Sequence, residues 1–129
     1  MILCALMVSI GVTAQSDADE TIDLNGEWDA VYATWMGMLK DTVKISQEEN
    51  KFVGIRLVGS VLEPKGSEAI KGELIGQMFS QVSTLNYKGV KEKLAWTDAQ
   101  GVIIENGNKI VIQTYVQRDN MVTVTMTRK

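Results

Sequence analysis

There is no histidine anywhere in this 129-residue chain. That absence removes Ser-His-Asp and Cys-His catalysis, and it takes the imidazole away from the usual zinc and copper ligand sets. The single cysteine, Cys4, lies in an apolar N-terminal run, so the chain beyond it has neither thiol nor disulfide. Glycine-rich phosphate loops are missing too, since Gly72 and Gly76 sit in a strand pattern and precede no helix. Basic side chains are outnumbered, with 13 Lys and Arg against 16 Asp and Glu and a formal net charge of −3. The nearest thing to a basic cluster is Lys88, Lys91 and Lys93, and Glu92 interrupts it. Nucleic acid is therefore not an expected partner, because phosphate contacts need clustered Lys and Arg. Asp29, Asp41, Glu73 and Glu105 fall on outward strand phases or in turns and read as solvated charge. The expectation is a protein that is not an enzyme and needs no cofactor or metal.

What is present begins with residues 1–14, apolar and uncharged, ending in Val12-Thr13-Ala14. The run is short for a membrane span, which needs ~20 apolar residues. Its small-residue end has the character of a signal-peptidase site, with cleavage before Gln15. A basic n-region is missing, and a membrane anchor or a buried first strand are the alternatives. Cys4 makes a poor lipobox cysteine, with only Met1-Ile2-Leu3 before it. The Ala-Gln end resembles signals of Gram-negative exported proteins, which implies a periplasmic or secreted bacterial protein with no stable span after cleavage. Residues 15–23, acidic and polar, read as a flexible leader. The remaining stretch, 24–129, is enough for one domain.

That domain reads as strands. Gly26, Trp28, Ala30 and Tyr32 share one face of a first strand over 26–36, because side chains alternate with period two. Further strands are expected at 42–46, 52–58, 70–79 and 82–87. The only proline, Pro64, sits in the longest irregular stretch, 60–68. Residues 88–99 are ambiguous: Val90 and Leu94 fit a helix, Leu94 and Trp96 a strand, and the β surroundings favour the strand. Asn106-Gly107 is a strong hairpin signal between 102–105 and 109–115. A turn at 118–120 then leads into a last strand, in which Val122, Val124, Met126 and Arg128 are in phase. The fold class is all-β, an antiparallel up-and-down β-barrel of about eight strands, with a two-sheet sandwich as the alternative.

The expected inward set is Trp28, Ala30, Tyr32, Val43, Ile45, Val53, Ile55, Leu57, Ile70, Leu74, Met78, Ile110, Ile112, Val122, Val124 and Met126. These residues either fill the barrel or line a cavity for one small ligand. If a cavity exists, the candidate ligand-binding residues are Tyr32, Thr34, Ile55, Leu74, Met78, Ile112 and Val124. Their apolar surface and the Tyr32 and Thr34 hydroxyls suit a hydrophobic molecule with one polar end. Trp35, Met36 and Met38 crowd the first turn. With Trp96 and the 60–68 loop, Trp35 and Met38 are candidate contacts for another protein at a barrel mouth, unless they cap the core. Trp28 and Arg128 are the expected structural closure, a guanidinium stacked on an indole.

Gly26-Glu27-Trp28 on the first strand, with Arg128 on the last, resembles the signature of the calycin group: lipocalins, fatty-acid-binding proteins and avidins. In that group the tryptophan plugs one end of the barrel and a basic residue of the terminal strand packs across it. The resemblance implies a lipocalin- or avidin-like barrel. The chain departs from lipocalins in ending at Lys129 without a helix, and from fatty-acid-binding proteins in lacking a helical pair after the first strand. Its layout is nearest the avidins, but Ala30 stands where their ligand-binding asparagine would, so biotin is not implied. Small exported protease and lysozyme inhibitors share this outline. Two functions follow as expectations: an exported carrier of a small apolar ligand, or an interaction or inhibitor module of the cell envelope working through one barrel mouth.

Overall fold

The computed structural model describes residues 20–89, 93–116 and 120–129. The proposed signal, most of the leader, and the 118–119 part of the last turn lie outside the described residues. Nine strands are seen among them: β1 (Gly26–Thr34), β2 (Gly37–Glu48), β3 (Lys51–Arg56), β4 (Glu68–Ile75), β5 (Met78–Gly89), β6 (Lys93–Asp98), β7 (Gln100–Ile104), β8 (Lys109–Val116) and β9 (Asn120–Arg128). All neighbours are antiparallel, in the order β6-β5-β4-β3-β2-β1-β9-β8-β7. Of the ambiguous 88–99 segment, Lys88 and Gly89 end β5, Lys93–Asp98 form β6 and Ala99 lies between strands, while residues 90–92, Val90 among them, are outside the described residues.

One sheet becomes a nearly closed barrel because β6 and β7 behave as one bent strand. Only Ala99 separates them. β6 pairs with β5, β7 pairs with β8, and the Ala99 N–H reaches the Val82 carbonyl of β5 at 2.9 Å. The outer strands of the order thus meet at Ala99, which bends the sheet round on itself. On the first-to-last side, β1 and β9 pair over Trp28↔Arg128 to Ala33↔Thr123.

The core collects Trp28, Ala30, Val43, Ile45, Phe52, Ile70, Leu74, Val82, Ile110, Ile112, Val122, Val124 and Met126. Two expectations of the alternation are corrected. In β3 the inward residues are Phe52, Gly54 and Arg56, whereas Val53, Ile55 and Leu57 lie half-exposed on the outer wall. Register decides this, since Gly54 pairs with inward Ile45 and Arg56 with inward Val43. Both phases of β3 carry apolar groups, so period two alone could not choose between them. Met78 is also outside the core, at 66% exposure. The chain turns at Gly76-Gln77, which splits the expected 70–79 strand and leaves Met78 opposite Ile75. Phe79 packs inward instead, against Phe52 with ring centroids 5.6 Å apart.

Gly54 shows how narrow the interior is. A Cβ there would stand 2.6 Å from Ile70 Cγ2 and 2.7 Å from Val43 Cγ1. Gly54→Val is expected to lose about 1–3 kcal/mol by overpacking. Urea denaturation checks this, and an unchanged midpoint would mean that the wall can move aside.

Candidate functional site

The two ends of the barrel are built differently, and the difference comes from which residues each strand brings there. β1 runs from Trp28 to a hairpin tip, so Trp28 lies at one end and Trp35 at the other. At the first end the Arg128 guanidinium stands 4.4 Å from the centre of the Trp28 ring. It donates to the carbonyls of Asn25, Asp23 and Gly107, each at 2.9 Å. The Trp28 indole N–H donates to the Leu24 carbonyl at 3.0 Å. Gln47 bonds both the Leu24 N–H and the Ile22 carbonyl, and the Ile22 N–H reaches the Gly76 carbonyl. This end is sealed.

The middle is packed. The void among Tyr32, Val43, Ile70, Ile112, Val124 and Met126 has a volume of about 10 Å³, room for roughly one water. Leu74 is 1% exposed and lies in this packed region, not on a cavity wall.

The other mouth is open, over a cavity of about 410 Å³. Its walls come from Tyr32, Thr34, Trp35, Met36, Leu39, Lys40 and Asp41 of the β1–β2 hairpin, from Gly59, Ser60, Leu62 and Glu63 of the long loop, and from Asn86, Tyr87, Asn120 and Val122. Thr34 and Gly37 pair directly, so Trp35 and Met36 form a two-residue turn. The Thr34 hydroxyl holds that turn, donating to the Gly37 carbonyl at 2.7 Å and accepting the Met36 N–H at 3.2 Å. Trp35 is 70% exposed and Met36 75%. Both side chains line the mouth of the cavity.

The long loop is fixed over the mouth by two carboxylates. Asp41 accepts the N–H groups of Val58 and Gly59, at 3.1 and 3.2 Å. Glu63 accepts the Tyr87 N–H at 2.8 Å and the Asn86 amide at 3.4 Å, and stands 3.6 Å from the Arg56 guanidinium. Beneath the cavity lies a polar layer. Arg56 is 1% exposed and donates to Ser67 Oγ and to the carbonyls of Glu68 and Leu85. Thr84 and Thr114 share a hydrogen bond at 2.6 Å. Asn86 is buried, and its Oδ1 has no hydrogen-bond partner.

Burial pushes the Tyr32 phenol up to about 12, with the positive charge of Arg56 only partly opposing it and the carboxylates of Glu63 and Asp41 adding to it. The folded state therefore holds this proton above the ordinary value near 10, where the unfolded chain releases it. Stability contributed here is present below pH 10 and is lost as pH rises towards 12. Tyr32→Phe is expected to flatten the fall in stability over that interval. Matched urea melts of both proteins at pH 10 and 11.5 check it, and parallel losses would reject it.

Of the candidate ligand-binding residues, the structure brings Tyr32 and Thr34 to the cavity. Ile112 and Val124 border only the small void, and Leu74 is core. Ile55 is corrected to the outer wall, and Met78 to the exposed turn at the sealed end. Of the candidate contacts, Trp35 lines the mouth, and so does the long loop through Ser60, Leu62 and Glu63. Met38 is exposed but pairs with Ala33 and faces away, so Leu39, opposite Tyr32, takes its place. Trp96 is on the outer wall, with the Lys71 ammonium 4.1 Å from its ring centre.

Arg56, Glu63 and Asn86 were not singled out by the sequence, and Asp41, read there as solvated charge, is corrected to a half-buried carboxylate that holds the Val58 and Gly59 N–H groups. Asn86 did carry a signal, since it is in phase with Val82 and Thr84. Arg56 and Glu63 carried none, because a strand arginine and a loop glutamate are ordinary surface residues. Among the described residues no group of three or more His, Cys, Asp or Glu could hold a metal ion. No protein-family model matches the chain, and neither does any curated protein.

Proposed function

We propose that this protein is an exported, non-catalytic, lipocalin-like barrel that binds a small hydrophobic ligand with one polar end. The observation carrying this reading is the 410 Å³ cavity at the open mouth, which sets apolar walls above a buried polar layer. Its size suits a small molecule, for which sites begin at about 300 Å³. The ligand sits at the mouth rather than at mid-barrel, where the void has room for roughly one water. Trp35, Met36, Leu39 and Leu62 supply apolar contact, and Tyr32 and Asn86 face the polar end. The calycin resemblance of Gly26, Trp28 and Arg128 supports the same class by analogy alone.

The test is fluorescence titration with the neutral probe N-phenyl-1-naphthylamine. Saturable binding at one site is expected, weakened at least about tenfold by Leu39→Glu, which places a charge in the apolar wall. Signal that does not saturate, or that Leu39→Glu leaves unchanged, would reject the carrier. Export is proposed with cleavage before Gln15, and mass spectrometry of the protein from its host would show that terminus; an intact Met1 would count against it.

A second reading, a protein-interaction or inhibitor module, is favoured by the rim itself. Val61 is 97% exposed beside exposed Leu62, and Trp35 and Met36 stand across the same mouth. A folded partner covering that rim would be lost with Trp35→Ser but not with a change inside the cavity.

A further inference from the structure

Asn86 is 2% exposed, projects inward from β5, and lines the floor of the mouth cavity. Its amide is oriented by its neighbour: Nδ2 faces the Glu63 carboxylate, so flipping the amide would set two oxygens against each other. Oδ1 is therefore the atom left over, and it has no partner. A buried acceptor without a donor is a standing cost, relieved by whatever brings one. Tyr32, which also faces the cavity, keeps its phenol proton and can donate as well as accept, so it does not select between head groups. The donors of Arg56 are committed to Ser67, to the Glu68 and Leu85 carbonyls and to Glu63. The Thr34 hydroxyl is held by its hairpin. The carboxylates of Asp41 and Glu63 are matched by Lys40 in the lining and by Arg56 beneath it, 3.6 Å from Glu63, so net charge does not select the head group.

Resting on the carrier reading above, we propose that the cavity takes apolar ligands whose head group donates a hydrogen bond to Asn86, an alcohol or an amine, and discriminates against carboxylates. A donor head completes Asn86 Oδ1. A carboxylate has no proton to offer at neutral pH, so it leaves Oδ1 unpaired and sets further acceptor oxygens against it. A site built to bond a particular group rejects analogues that leave its polar atom unpaired.

The test uses the full-length protein, N-phenyl-1-naphthylamine as reporter, and three competitors with one ten-carbon tail: decanol, decylamine and decanoate. Decanol, decylamine or both are expected to displace the reporter at concentrations at least about tenfold below those needed for decanoate. Asn86→Leu should shrink that advantage to about twofold or less while the reporter still binds. Should Asn86→Leu not fold, Asn86→Ser serves instead: its hydroxyl can donate as well as accept, so the advantage should shrink there too. Decanoate binding as well as decanol and decylamine to the wild-type protein would overturn the donor-head inference and leave the carrier standing. A reporter that never enters the cavity would overturn the carrier reading, and this inference with it.

Discussion

Arg56→Met is expected to destabilise the barrel by about 3–5 kcal/mol, a large fraction of what holds a small domain together. The loss comes mainly from what the guanidinium leaves behind. The Glu68 and Leu85 carbonyls and Ser67 all receive donors from it inside the barrel. Each buried polar atom left unpaired costs ~1–3 kcal/mol. The pair with Glu63 is the smaller part, since its separation is 3.6 Å and Glu63 keeps 23% of its side chain in solvent. The double change Arg56→Met with Glu63→Gln, which keeps an acceptor for the Tyr87 N–H, is therefore expected to recover only a minor share, because the carbonyls stay unpaired. Urea melts with an unchanged slope measure both quantities. A loss below ~1 kcal/mol for Arg56→Met would mean that water reaches the carbonyls as readily as the arginine does.

Trp28→Ala is expected to cost about as much, ~3–5 kcal/mol, since it empties the largest buried side chain at the sealed end. Its partner contributes through three carbonyls as well as through the ring. Arg128→Ala should lose ~1–3 kcal/mol, combining the stacking term with the donors withdrawn from Asp23, Asn25 and Gly107. Arg128→Lys should restore only part of this, because an ammonium cannot stack in the plane and fork to three acceptors at once. In a double-mutant cycle the two losses should not add. Additive losses, or a wild-type midpoint for Arg128→Ala, would reject the arrangement. Since the sealed end is remote from the mouth, neither change should alter ligand preference in the molecules that remain folded.

The β character of this chain was determined by its own alternation. So was the pairing of its ends: Trp28 and Arg128 sit in phase with the apolar residues of the first and last strands, and in the barrel they stand opposite each other in register. The turn at Asn106-Gly107 was equally local, since both residues take positive φ, which that dipeptide tolerates. Other features depended on neighbours distant in sequence. Which face of β3 turned inward was settled by its register with β2 and by the space left by Ile70 and Val43, which admits a glycine but not a side chain. The break at Gly76-Gln77 moved Met78 out of the core and Phe79 into it. The closure through Ala99 required β5 and β8 to present their free edges to one bent strand. The candidate site was hidden for the same reason. A strand pattern marks two faces and does not say which one is buried, and a polar residue on the buried face is legible only once its partners are in place. Arg56 became an interior residue when carbonyls from β4 and β5 closed around it, and Asn86 became an unmet acceptor when Glu63 folded over the mouth and claimed its amide.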